Sequence, residues 1–145
     1  GITTLEDKSL GCTQKGGTAE VRGVLDYCEP VTQKGLNLVK GPGNDLCAIT
    51  ALMASGAQMV LFTTGRGTPV GAPIPTVKVA TNTPLAKKKK DWIDFNAGVL
   101  VQGAEMKETT ETFFQMLLRI ASGEQTQSEK HDFREIAIFK DGVTL

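Results

Sequence analysis

The chain of 145 residues has little that marks a catalyst at first sight: one histidine, one tryptophan, one tyrosine and no net charge, sixteen basic side chains offsetting sixteen acidic ones. Balanced charge sets up no global field that would draw in nucleic acid or a membrane surface, so neither is expected as a partner. The longest apolar stretch, within Cys47 to Ala54, is far too short to span a bilayer. No charged start followed by an apolar segment is present, so no signal peptide is read. No Ser/His/Asp set, HExxH motif or P-loop occurs, and the single His131 sits in a charged loop where a solvated role is expected. Three cysteines, Cys12, Cys28 and Cys47, form no CxxC. Their odd number argues against a disulfide framework and for a reducing compartment. A dinucleotide-binding reading of Gly65-Arg66-Gly67 fails: the register needs glycine at position 70, where Val70 stands, and no helix can continue through Pro69.

What is present is glycine, sixteen in all, with an ordinary 40% hydrophobic and 22% charged content. This suits one soluble α/β domain over 1–145 with many special turns. The chain begins at Gly1 rather than Met and is expected to be a piece of something larger. Three apolar runs, Leu36 to Val39, Met59 to Phe62 and Val77 to Ala80, each lead into a loop rich in Gly, Thr, Asn and Pro. The loops read Gly41-Pro42-Gly43-Asn44-Asp45, Thr63-Thr64-Gly65-Arg66-Gly67-Thr68-Pro69 and Thr81-Asn82-Thr83-Pro84. If the runs are parallel strands, the loops share the carboxyl edge of one sheet, where open α/β sheets bind ligands.

Residues 1 to 17 read as mostly loop, with Gly11, Gly16 and Gly17 as breakers. Thr18 can cap a helix carrying Val21, Val24, Leu25 and Cys28, which Pro30 stops. Asn44 caps a second helix with Leu46, Ile49, Leu52 and Met53 on one face and Gly56 at its end. With strands at 36–39 and 58–63 around it, a right-handed βαβ unit is expected. The proline-rich stretch from Thr64 to Thr76 cannot be helical. A strand at 76–81, a short helix through Lys87 to Lys90 begun by Thr83-Pro84, a strand near 91–95, a helix over 107–122 and a final strand at 135–139 complete the reading. The expected fold is α/β: a Rossmann-like three-layer sandwich with a mostly parallel sheet.

The candidate chemistry follows from the loops. Arg66 offers a fork matched to a carboxylate, and backbone amides of the glycine loop can form an anion nest. Thr63, Thr64, Thr68, Thr81 and Asn82 add groups able to read hydroxyls, and Asn44 and Asp45 either join them or only cap their helix. Lys78 lies on a predicted internal strand, either snorkelling to the edge or pointing into the site. Glu6, Lys8 and Cys12 gather acid, base and thiol in one stretch. Cys12, between Gly11 and Thr13, is a candidate soft metal ligand or nucleophile, whereas Cys28 and Cys47 read as small buried hydrophobes. The Lys87 to Lys90 run reads as a solvated helix face.

Taken together, Gly1 to Lys15, Gly35 to Asp45, the ten-residue Val60 to Pro69, Pro75 to Asn82, Trp92 to Gly98 and Phe133 to Leu145 resemble the C-terminal part of the altronate dehydratase and D-galactarate dehydratase family. The resemblance implies a cytoplasmic sugar-acid hydro-lyase dependent on a divalent metal, typically iron (Fe2+), with Mn2+ an alternative. It implies upstream domains in the same polypeptide that supply further metal ligands, and leaves a homo-oligomer open. It also implies that Gly1 is not a natural start while Leu145 is a natural end. Within it, Glu6, Lys8 and Lys78 are the candidate bases or acids, and the small-molecule sugar acid is the expected partner. Altronate and galactarate both remain open as substrate, as does a non-catalytic sugar-acid-binding module.

Overall fold

The computed structural model of the chain describes residues 4–138; the side chains of Leu5, Asp7, Lys8, Ser9 and Cys12 also lie outside the description. Helix α1 (Leu5–Lys15) is followed by strands β1 (Val21–Leu25) and β2 (Leu36–Val39), helix α2 (Asp45–Ala54), and strands β3 (Val60–Thr64) and β4 (Thr76–Ala80). Helix α3 (Thr83–Lys88), strand β5 (Phe95–Asn96), a 3-10 helix (Ala97–Gln102) and helices α4 (Met106–Ala121) and α5 (Gln127–Lys130) complete it. All strand pairs are parallel and fall in two sheets, β1-β2 and β3-β4-β5.

The α/β class holds, with parallel sheets and helices on both faces of the larger one. On one face Val77 and Val79 of β4 pack against Met116 and Ile120 of α4, with Phe113 and Leu117 flanking. On the other Val60 of β3 packs with Ile49 of α2 and Ala72. Ala80, Leu85 and Ile93 close the end beyond β4. Every residue of β4 is buried, as a central parallel strand covered on both sides requires.

Several expectations are corrected. Residues 5–15 are helix, not loop: Leu, Glu, Lys and Gln are good helix formers, Gly11 stands in open space, and Gly17, at φ +64°, ends the helix as a left-handed cap. Residues 21–25 are strand, not helix, since a central Gly23 costs a helix about 1 kcal/mol and two β-branched valines prefer extended backbone. Cys28, expected on a buried helix face, is half-buried in a turn at φ 61°. Because β1 captures β2, the segment β2-α2-β3 joins two sheets and is not a βαβ unit. Asn44 does cap α2, accepting from the amides of Leu46 and Cys47, but the buried face is Cys47, Ile49 and Ala51 while Leu52 is exposed.

Residues 133–138 form no strand. The Glu135 amide donates to the Gly71 carbonyl (2.8 Å), Gly71 returns its own amide to Glu135 Oε2 (2.9 Å), and the Ala137 amide donates to Thr50 Oγ1 (3.2 Å). Backbone donors committed to a loop and a hydroxyl leave no ladder. The expected strand end, Phe139, lies outside the described residues. The polar connection at 124–133 contains α5, built on a capping box of Thr126 and Glu129.

Candidate functional site

Parallel order places the ends of β3, β4 and β5 on one edge, and hydrogen bonds lock their loops together. The Thr81 amide and hydroxyl both donate to the Thr64 carbonyl (3.0 and 3.3 Å), and Asn82 Nδ2 donates to the Gly65 carbonyl (3.0 Å). Asn82 Oδ1 accepts from the Leu85 amide (2.9 Å) and so caps α3, one residue earlier than expected. Beyond it Asn96 Nδ2 donates to Thr83 Oγ1 (3.1 Å), while its Oδ1 accepts from Gly98 (3.0 Å). Gly98 lies so close that a Cβ there would meet Thr83 N at 2.3 Å and Asn82 at 2.4–2.5 Å, so no other residue fits without parting the loops.

The first of these loops is an Arg66 platform. Gly67 turns at φ +83°, and both its amide and that of Arg66 point at Thr64 Oγ1 (2.9 and 3.4 Å). The amides that an anion nest needs are therefore occupied by the Thr64 hydroxyl. Arg66 itself is exposed, and among the described residues no carboxylate pairs with it. Thr63 is exposed, and Thr68 accepts from the Val70 amide (3.4 Å). The structure thus brings Thr64, Arg66, Thr81 and Asn82 to one edge. Asn44 and Asp45 follow β2 in the other sheet, with Asn44 spent on its cap and Asp45 exposed. The expected single edge shared by three loops is reduced to two loops, joined by that of Asn96. Glu6 is exposed on α1, and the side chains of Lys8 and Cys12 lie outside the described ones.

Lys78 neither snorkels nor reaches the edge. It has no exposed surface, and among the described residues its Nζ finds no hydrogen-bond partner. The ammonium lies 5.7 Å from the centre of the Phe133 ring. Burial pushes its pKa below the usual lysine range, with the carboxylates of Asp94 and Glu135 pulling the other way. Asp94 is the anchor of this region: it accepts from the Lys78 amide (2.7 Å) and from the Gln127 amide at the start of α5 (2.7 Å). Burial raises its pKa above the ordinary carboxylate value, against the pull of those amides and of Lys78 and Lys130. In the lysine run, Lys89 stacks 3.6 Å from the Trp92 ring centre, while Lys87, Lys88 and Lys90 are exposed. Among the described residues no group of three or more His, Cys, Asp or Glu side chains is placed to hold a metal ion.

This pinned edge and its flanking segments can be set against known proteins. A family model described as D-galactarate/Altronate dehydratase, C-terminal, matches residues 1–144. The chain belongs to this family. It is 58% identical over 145 residues to an altronate dehydratase of Escherichia coli (strain K12) and 57% identical over 146 aligned positions to one of Bacillus subtilis (strain 168), covering all of this chain and 29% of each relative. It is 36% identical over 127 residues to a galactarate dehydratase (L-threo-forming) of Escherichia coli, covering 86% of this chain and 24% of that protein. The chain therefore spans under a third of the length of these family members. Within this family domain, sequence reasoning missed Asn96 and Asp94. Asn96-Ala97-Gly98 carries a signal, an Asx turn followed by a glycine, that resembles the other edge loops. Asp94 carries none, because its partners are 16 and 33 residues away.

Proposed function

We propose that this chain is the C-terminal domain of a metal-dependent sugar-acid dehydratase acting on altronate, giving 2-keto-3-deoxygluconate and water. The carrying observation is the contrast in identity: 58% and 57% to altronate dehydratases against 36% to a galactarate dehydratase. Dehydration takes a proton from the carbon beside the carboxylate and expels hydroxide from the next carbon. The resulting enol then tautomerises to the 2-keto acid. The developing charge on the carboxylate needs fixed donors. Arg66, exposed and without an ion-pair partner among the described residues, on a loop bonded to the one after β4, suits that task. Thr63 and Thr68 beside it suit the substrate hydroxyls. Lys78 is sealed in this conformation, so a role as base requires the cover around Phe133 to move.

The described residues do not by themselves fit a metal centre. In this reading the divalent metal, Fe2+ or Mn2+, takes its ligands largely from other domains of a longer cytoplasmic polypeptide, and the 145 residues alone are inactive. The test is steady-state dehydration of altronate and galactarate by the longest natural polypeptide carrying this chain, with Arg66→Ala and Lys88→Ala beside it. Charge-assisted hydrogen bonds are worth roughly 1.5–3 kcal/mol each, so Arg66→Ala is expected to lower kcat/KM by one to several orders of magnitude. Lys88→Ala should leave it near normal. Turnover of galactarate in preference to altronate would overturn the substrate assignment, and robust turnover by residues 1–145 alone would overturn the division of labour.

A further inference from the structure

We propose that the outer face of the β1-β2 sheet is the docking surface for the remainder of the longer polypeptide. Val24 and Leu38 are register partners on that face, 75% and 49% exposed, and Val21 beside them is 47% exposed. Val21, Leu36 and Leu38 line a groove of about 550 Å³ whose other wall is the end of α1 and the glycine turn after it. Parallel strands are stable only when covered on both faces, and two strands alone are marginal in water. Here one face is covered: Leu25, on the opposite side from Val24, is buried. The other face shows apolar side chains to solvent in a row.

The occupant follows from length and size. The two altronate dehydratases are covered to only 29% of their length, so the larger part of each lies outside the matched region. A second copy of this chain fits less well: stable dimers use about 20–30 residues a side, more than the few apolar side chains this face shows among the described residues. A domain tethered in the same polypeptide needs no such area, since its effective concentration is already high. The proposal rests on the reading above that the chain works as part of a longer polypeptide.

The experiment uses that longer polypeptide, with Val24→Asp and the milder Val24→Ser. Val101→Asp, on an equally open apolar residue at 86% exposure far along the chain, is the control. Hydrogen exchange at 21–25 and 36–39, limited proteolysis and thermal melting are read together. Both Val24 variants are expected to speed exchange in the two strands at least tenfold, to expose the junction to protease and to lower the melting temperature, Val24→Asp more than Val24→Ser. Val101→Asp should change none of these. Val24→Asp indistinguishable from Val101→Asp would overturn the proposal. So would fast exchange of both strands in the unmutated polypeptide, or a variant that merely splits a dimer with its domains still docked. A natural polypeptide no longer than this chain removes the occupant and overturns it too. Altronate turnover is measured separately on the unmutated protein, so a failed dehydratase assignment leaves the docking result standing.

Discussion

Strands β4 and β1 have the same length and both pair in parallel, yet every residue of β4 is buried and only Leu25 of β1 is. Helix α4 closes over one face of β4 and α5 with Phe133 lies against the other, and β4 carries the core of the larger sheet. Strand β1 has a partner and one covered face. A parallel strand is thus not made stable by its ladder, which is identical in kind in the two sheets, but by the apolar mass on either side of it. In β4 polar atoms also become costly, as the Lys78 ammonium, without a hydrogen-bond partner among the described residues, shows.

The contrast is open to attack at several points. Ile120, 5% exposed, packs on β4, and Ile120→Ala should cost about 2–5 kcal/mol in urea unfolding. Val24→Ala on β1 should stay within about 0.5 kcal/mol in the 145-residue chain. Equal costs would mean that β1 is already covered. Next come the glycines. Gly98→Ala forces a methyl against backbone of the β4 loop and should cost about 1–3 kcal/mol or more. In Gly23→Ala on β1 the methyl meets the Asn37 side chain, which can yield at the cost of its exposed bonds to the Gln33 and Gly35 carbonyls, and the loss should be smaller.

The smallest effect sharpens the point about polarity. Folded Lys78 releases its proton more readily than unfolded lysine, so stability rises as pH climbs toward the unfolded value of 10.5. Lys78→Met removes a buried ammonium that lacks a hydrogen bond among the described residues, so it should stabilise the chain by about 1 kcal/mol at neutral pH and flatten that rise. Thermal melts from pH 7 to 10 check both. Asp94 acts in the opposite sense at the acid end. Its raised pKa makes its contribution present below the ordinary 3.8 and lost as pH rises through the folded value. Asp94→Asn should remove this dependence.

Much of the larger sheet was legible, although its last strand is Phe95–Asn96 where one near 91–95 was expected. Asn44 before an apolar run and Gly123 after the 107–122 pattern are local signals that the geometry honoured, while the cap expected at Thr83 falls one residue earlier, on Asn82. The failures share a cause. Val21, Val24, Leu25 and Cys28 fit a helical period over a window too short to exclude a strand, and only pairing with β2 decides it. The alternation at 135–138 was real, but Gly71 and Thr50 took the amides. At the candidate site, loop residues such as Thr64 and Asn82 were legible from composition. Their bonds to each other, and the roles of Asp94 and Asn96, depend on contacts across 13 to 33 residues that no periodicity encodes.

The strap at 133–137 has a consequence for how the molecule is made. Its bonds to Gly71 and Thr50 close loops of 64 and 87 residues, among the longest in the fold. Long-range closures are formed late because their entropy must be met before their contacts reward it. On the ribosome these two closures wait until residue 137 has cleared the exit. At about 5–20 residues per second that is a delay of several seconds after β3 emerges, in which Thr50 and the Gly71 amide lack the partners they have in the finished protein.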